Sequence, residues 1–144
     1  MNIATHVPHG SVGAYVMGER GARNEEPTSQ DLEAMAAIVK EGVESGVLGF
    51  SSSRTMLHRA LDGEPVPGTI AGAEEMVALG AAVAQAGGGV VEVSSDIGLG
   101  GLEGNFKGDI DWMRTLATDH GLTVTYVLTQ GDRKPDQWRD LLDI

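Results

Sequence analysis

Ser51, Ser52, Ser53, Arg54 and His58 follow closely on a short apolar run, Val47-Leu48-Gly49-Phe50. Hydroxyls can hydrogen-bond a polar substrate, a guanidinium can clamp a carboxylate through two N–H bonds, and an imidazole can carry a proton. In a parallel α/β sheet the pocket lies beyond the carboxyl ends of the strands. A polar cluster directly after an apolar run is therefore a place to look for chemistry. Two more apolar runs end in the same way, one at His9 and one at Ser94-Ser95-Asp96. The pocket candidates are His9, Ser52, Arg54, His58, Ser94 and Asp96.

Each candidate has a competing structural reading. Arg54 suits a carboxylate clamp and equally an ion pair with one of the abundant acids. Asp96 could be a general base, against a loop-capping role; His58 could be a solvated loop residue. No G-x-S-x-G elbow surrounds the serines and no His–acid pair can be assigned to them, so they read as hydrogen-bonding groups and no catalytic residue is named. His6 and His9 form an H-x-x-H on a tight turn, but two ligands without a third make no site. His120 closes a predicted helix, where a cation complements the dipole. The glycines at Gly98, Gly100 and Gly104 miss the dinucleotide-loop spacing by one residue.

The elements that must position these groups alternate. Residues 2–7 read as a strand, stopped by Pro8-His9-Gly10, and residues 11–17 as a short helix, with a charged loop over 19–27. Thr28 is an N-cap with Asp31 three residues on, and Leu32, Met35, Val39 and Val43 then mark one helical face up to Gly46. A strand over 47–51 leads into a long loop, 52–68, and a helix over 70–86 that buries Met76, Leu79 and Val83. The third unit has a strand at 90–94, a glycine-rich loop at 97–108, and a helix capped by Asp109 that runs to His120 and buries Ile110, Met113 and Leu116 or Ala117. A strand at 122–128 and a helix opened by Lys134-Pro135-Asp136 and reaching Ile144 complete the fourth.

Strands alternating with helices imply a parallel sheet. The long loops follow strands while the helix-to-strand returns are short, as in an enzyme barrel whose βα loops build the pocket. The expected fold is α/β: one unit over residues 1–144 with about four βα units, a partial TIM (β/α) barrel. Four strands would leave two open sheet edges, which predicts a homo-oligomer.

Composition limits the functional classes. The chain has 21 acidic and 10 basic residues for a net charge of −11, which argues against a nucleic-acid partner, since phosphate binding needs clustered cations. The absence of cysteine removes thiolate zinc sites and cysteine nucleophiles. No long apolar run suggests a membrane partner, and no signal peptide is read, so a cytoplasmic location is expected.

Taken in order, NIATHVPHG from Asn2, GVLGFSSSR from Gly46, GGGVVEVSSD from Gly87 and LTVTYVLTQ from Leu122 resemble the middle of the metal-dependent amidohydrolase superfamily, nearest the N-acyl-D-amino-acid deacylases (D-aminoacylases). The likeness spans nearly the whole chain and implies an internal segment of a longer barrel. It implies a hydrolase of non-peptide C–N bonds whose zinc activates a water, with a small substrate such as an N-acyl amino acid and with His9 at the barrel mouth. Ser94, and the neighbourhood of Leu128 and Thr129, stand where the family places metal-binding histidines. No metal ligand is therefore assigned, and the segment is expected to be inactive by itself. The alternative is a metal-free α/β module that binds or senses a small molecule.

Overall fold

The computed structural model describes residues 1–97, 106–128, 132 and 135–142. Its elements are β1 (Val7–Pro8), α1 (His9–Met17), α2 (Glu19–Ala22), α3 (Ser29–Glu44), β2 (Gly49–Arg54), α4 (Ala73–Gln85), β3 (Val90–Ser95), α5 (Phe106–Thr118), β4 (Thr123–Tyr126) and α6 (Gln137–Leu142). All three strand pairings are parallel, in the order β1-β2-β3-β4. Among the described residues consecutive strands are thus neighbours, without the reversal of order that defines a doubly wound sheet. Among the described residues no helix is long and apolar enough to cross a membrane.

The two faces of the sheet differ in character. Phe50 and Ser52 of β2 and Val91, Val93 and Ser95 of β3 are buried, and Val124 and Tyr126 of β4 pack against the same core. That core takes Met35 and Val39 from α3, Met76, Leu79 and Val83 from α4, and Ile110, Trp112, Met113 and Leu116 from α5. Alternating with them, Ser51, Ser53 and Ser94 are half-buried and Glu92, Thr123 and Thr125 exposed. One face is therefore apolar and packed against helices, and the other is polar and accessible. Burial worth about 1.5–3 kcal/mol for each of Met76, Leu79 and Val83 outweighs the ~1 kcal/mol cost of Gly80 inside α4.

Several boundaries move from the sequence expectation, each for a local reason. Instead of spanning 2–7, β1 is only Val7–Pro8, because Val7 and Pro8 alone find register partners, in Phe50 and Ser51. Pro8 then serves as the N-cap of α1, so the helix begins at His9 rather than residue 11. The charged loop contains α2, anchored by Arg20, whose guanidinium lies 2.7 Å from Asp31. The second strand starts at Gly49 rather than Val47: its backbone has φ 153° and a Cβ would collide with the carbonyl of Val90. The shift carries Ser52, Ser53 and Arg54 into β2. Both α4 and β4 are shorter than expected, and α5 begins at Phe106 and ends before His120. Asp109 is consequently a first-turn residue, not the N-cap. The glycine-rich stretch at 98–105, Thr129, Lys134 and Ile144 lie outside the described residues.

The start of α3 follows the sequence reading in detail. Thr28 Oγ1 accepts from the Asp31 N–H, and the Asp31 carboxylate accepts from the Thr28 N–H at 2.8 Å, closing a capping box. The Arg20 hydrogen bond, reinforced by those from the Thr28 hydroxyl and N–H, lowers the Asp31 pKa from 3.8 to about 2. A lowered carboxylate pKa stabilises the fold above the unfolded value and stops doing so as pH falls through the folded one. The stability gap between wild type and Asp31→Asn should therefore be full above pH 3.8 and shrink as pH falls toward about 2. Chemical unfolding across that range measures it, and a gap independent of pH would refute the linkage.

Candidate functional site

The carboxyl end of β2 organises the site. Because side chains alternate along a strand, its three serines divide between the two faces. Ser52 turns toward the helices and meets His9 of α1, with Ser52 Oγ 2.9 Å from His9 Nδ1. His9 Nε2 lies 2.9 Å from Glu75 Oε1 of α4. An ionised carboxylate only accepts, which places a proton on Nε2; in the neutral ring Nδ1 then accepts the Ser52 hydroxyl. Serine, imidazole and carboxylate form one chain of hydrogen bonds, with His9 only 2% exposed.

Two neighbours hold the imidazole. The Phe50 ring lies at a centroid distance of 5.3 Å and a tilt of 54°. Gly68, at φ +87°, passes so close that a Cβ there would stand 2.7 Å from His9 Nδ1. Only glycine fits both the left-handed backbone and the contact.

A cavity of about 570 Å³ opens at this end of the sheet. His9, Gly10 and Ser11 line it from α1, Ser51, Ser52 and Ser53 from β2, Glu92 and Ser94 from β3, and Val66 and Pro67 from the loop. Three candidates, His9, Ser52 and Ser94, thus come together. The other three serve elsewhere. Arg54 lies on the helix side, 2.8 Å from Asp109 of α5 and donating to the Ala71 carbonyl, so the ion-pair reading describes it. The Asp96 carboxylate accepts from the Thr55 hydroxyl and, at 2.9 Å, from the Met56 N–H, which makes it the cap of the turn after β2. His58 is exposed but not detached, with Nδ1 2.6 Å from Ser53 Oγ.

The H-x-x-H does not act as a pair. His6 Nδ1 lies 3.4 Å from Glu92 Oε2 on the polar face, while His9 enters the helix layer. His6 Nε2 is buried without a hydrogen-bond partner among the described residues. The zinc implied by the resemblance finds no matching ligand set here. Ser94 ends the polar side of β3, Leu128 follows β4, and no three His, Asp or Glu side chains converge among the described residues. No chemical step is assigned to a metal.

The sequence reading missed Glu75 and Glu92 as site residues, and it gave Ser53 a hydrogen-bonding role without its partner, His58. Glu75 had a signal: it lies four residues before Leu79 and eight before Val83, in phase with the buried face of α4. An acid on an apolar stripe needs a partner. Glu92 has no comparable mark, since an acid at an alternating strand position is ordinary.

No family model matches the chain, and neither does any curated protein or solved structure compared with it.

Truncating Glu75 would leave a buried N–H of His9 unpaired. Glu75→Ala should cost about 1–3 kcal/mol in urea unfolding. A loss within ~0.5 kcal/mol, typical of an indifferent surface change, would show that the bond contributes nothing to stability.

Proposed function

We propose that this chain supplies consecutive βα units of a (β/α)-barrel hydrolase of the amidohydrolase type, acting on a C–N bond of a small substrate such as an N-acyl amino acid. The observation that carries the barrel half of this reading is the polar, accessible face of β2, β3 and β4. Parallel sheets are ordinarily covered on both sides. Strands in sequential order, a helix-packed face and an opposite face left open for further βα units suit a segment of barrel wall. The cavity at the carboxyl end of the strands is where such a barrel keeps its substrate. The C–N hydrolase half rests on the resemblance of the strand-end segments.

In this reading the described residues bind and orient. The hydroxyls of Ser51, Ser53 and Ser94 would meet the polar atoms of an amide, and the apolar edge formed by Val66 and Pro67 would hold an acyl chain. A second reading, a metal-free binding module, is favoured by that same hydroxyl-rich lining, which can hold a polar ligand without an ion. The expected result is saturable, millimolar binding of N-acyl-D-amino acids in calorimetry or NMR titration. Ser94→Ala should weaken it by about 2–10-fold, the loss of one hydrogen bond. Binding that persists unchanged in chelator supports the second reading. No saturable binding of any N-acyl amino acid would sink the substrate class.

A further inference from the structure

We propose that Ser52, His9 and Glu75 form a metal-independent acyl-transfer centre, with Ser52 as nucleophile, His9 as base and Glu75 as the positioning residue. The proposal is independent of the barrel reading. It rests on three conditions that a nucleophilic centre must meet together: a nucleophile bonded to a base, a base held by a third group, and space for a substrate beside them.

The first two conditions are met by the distances, 2.9 Å from Ser52 Oγ to His9 Nδ1 and 2.9 Å from His9 Nε2 to Glu75 Oε1. The ring is used in the opposite sense from the usual serine triad, Nδ1 toward the serine and Nε2 toward the acid. Either nitrogen can carry the proton, so the reversal changes geometry and not chemistry. For the third condition, Ser52 and His9 border the 570 Å³ cavity, a volume suited to a small ligand; at 6% and 2% exposure they meet it only at its edge, on the helix side of β2. A further feature fits. Pro8 gives α1 no side-chain cap, so the first-turn N–H groups lack that partner, and Gly10 and Ser11 border the same cavity. Such donors are the type that stabilise an oxyanion.

The step balances without a metal. Ser52 Oγ attacks the carbonyl carbon of an ester or amide, and its proton passes to His9 Nδ1. The Glu75 carboxylate faces the imidazolium so formed. Collapse breaks the bond to the leaving alcohol or amine, which takes the proton from Nδ1 and leaves Ser52 acylated. Water then attacks the acyl carbon as Nδ1 accepts one of its protons. The carboxylic acid departs, and the Ser52 oxygen recovers the proton.

The test is reaction of the full chain with a fluorophosphonate, followed by intact-mass measurement and peptide mapping. The expected result is a single adduct on Ser52, formed equally fast in chelator and absent from Ser52→Ala. Glu75→Gln should slow labelling at least ~100-fold and alter its pH–rate profile, with partial recovery in Glu75→Asp. A merely structural network would not produce that pattern. No adduct on the wild-type chain, or an adduct confined to another serine, overturns the proposal. The wild-type result decides the matter even where a variant does not fold. Titration with N-acyl amino acids reads the substrate class separately, so failure of one idea leaves the other standing.

Discussion

A buried imidazole must find a partner for each ring nitrogen, and His9 finds them on two different elements. One is a serine of β2 and the other a glutamate of α4, separated from it by 43 and 66 residues of chain. Leaving either nitrogen unmatched away from water would cost about 1–3 kcal/mol, a large part of a domain's net stability. The demand is therefore mutual: the position of α1 is tied to both β2 and α4, and the loop at Gly68 closes over the ring. The wall of the cavity and the edge of the core are made by the same contacts.

The second constraint is the two-residue period of a strand. It sends Ser52 inward and Ser51 and Ser53 to the opposite face, and a slip of one residue would exchange them. Phe50, fully buried, and Gly49, tight against Val90, hold the register. The same period takes Arg54 to Asp109, whose carboxylate also accepts from the Trp112 indole at 3.0 Å. The cavity is left with hydroxyls, the Glu92 carboxylate and the His9 imidazole. Its chemistry is that of hydrogen bonding and proton transfer more than of anion capture.

Much of the architecture was legible because it depends on local pattern. Thr28 with Asp31, and Met76, Leu79 and Val83 in phase, are signals that neighbouring residues generate by themselves. Boundaries were less legible where tertiary contact decides them. Nothing near Gly49 announces that Val90 will sit against it, and nothing near Asp109 announces Arg54. Half of the candidate site was readable, as polar residues at strand ends, but their partners were not. That Ser52 pairs with His9 and Ser53 with His58 follows from the alternation of the pleat, which reaches these residues only because β2 runs on to Arg54. The expected strand at 47–51 left both serines in a loop, where no such rule applies.

The loop after β2 is fastened to the rest of the fold at its two ends and exposed between them, where it bonds mainly to itself. Asp96 holds Thr55 and Met56 at one end; at the other, Thr69 Oγ1 donates to the Val66 carbonyl at 2.7 Å and Asn24 to that of Pro65. Between these fastenings, Leu57 and Leu61 stand 74% and 110% exposed. Sequence drift should accordingly be cheap around Leu61 and Asp62, where residues could be exchanged without reaching the cavity, while the left-handed backbone of Gly63, φ +89°, favours glycine. Drift should be expensive at Thr55, Asp96 and Gly68. The loop joins a stretch open to evolutionary experiment to two short anchors that keep its consequences away from His9.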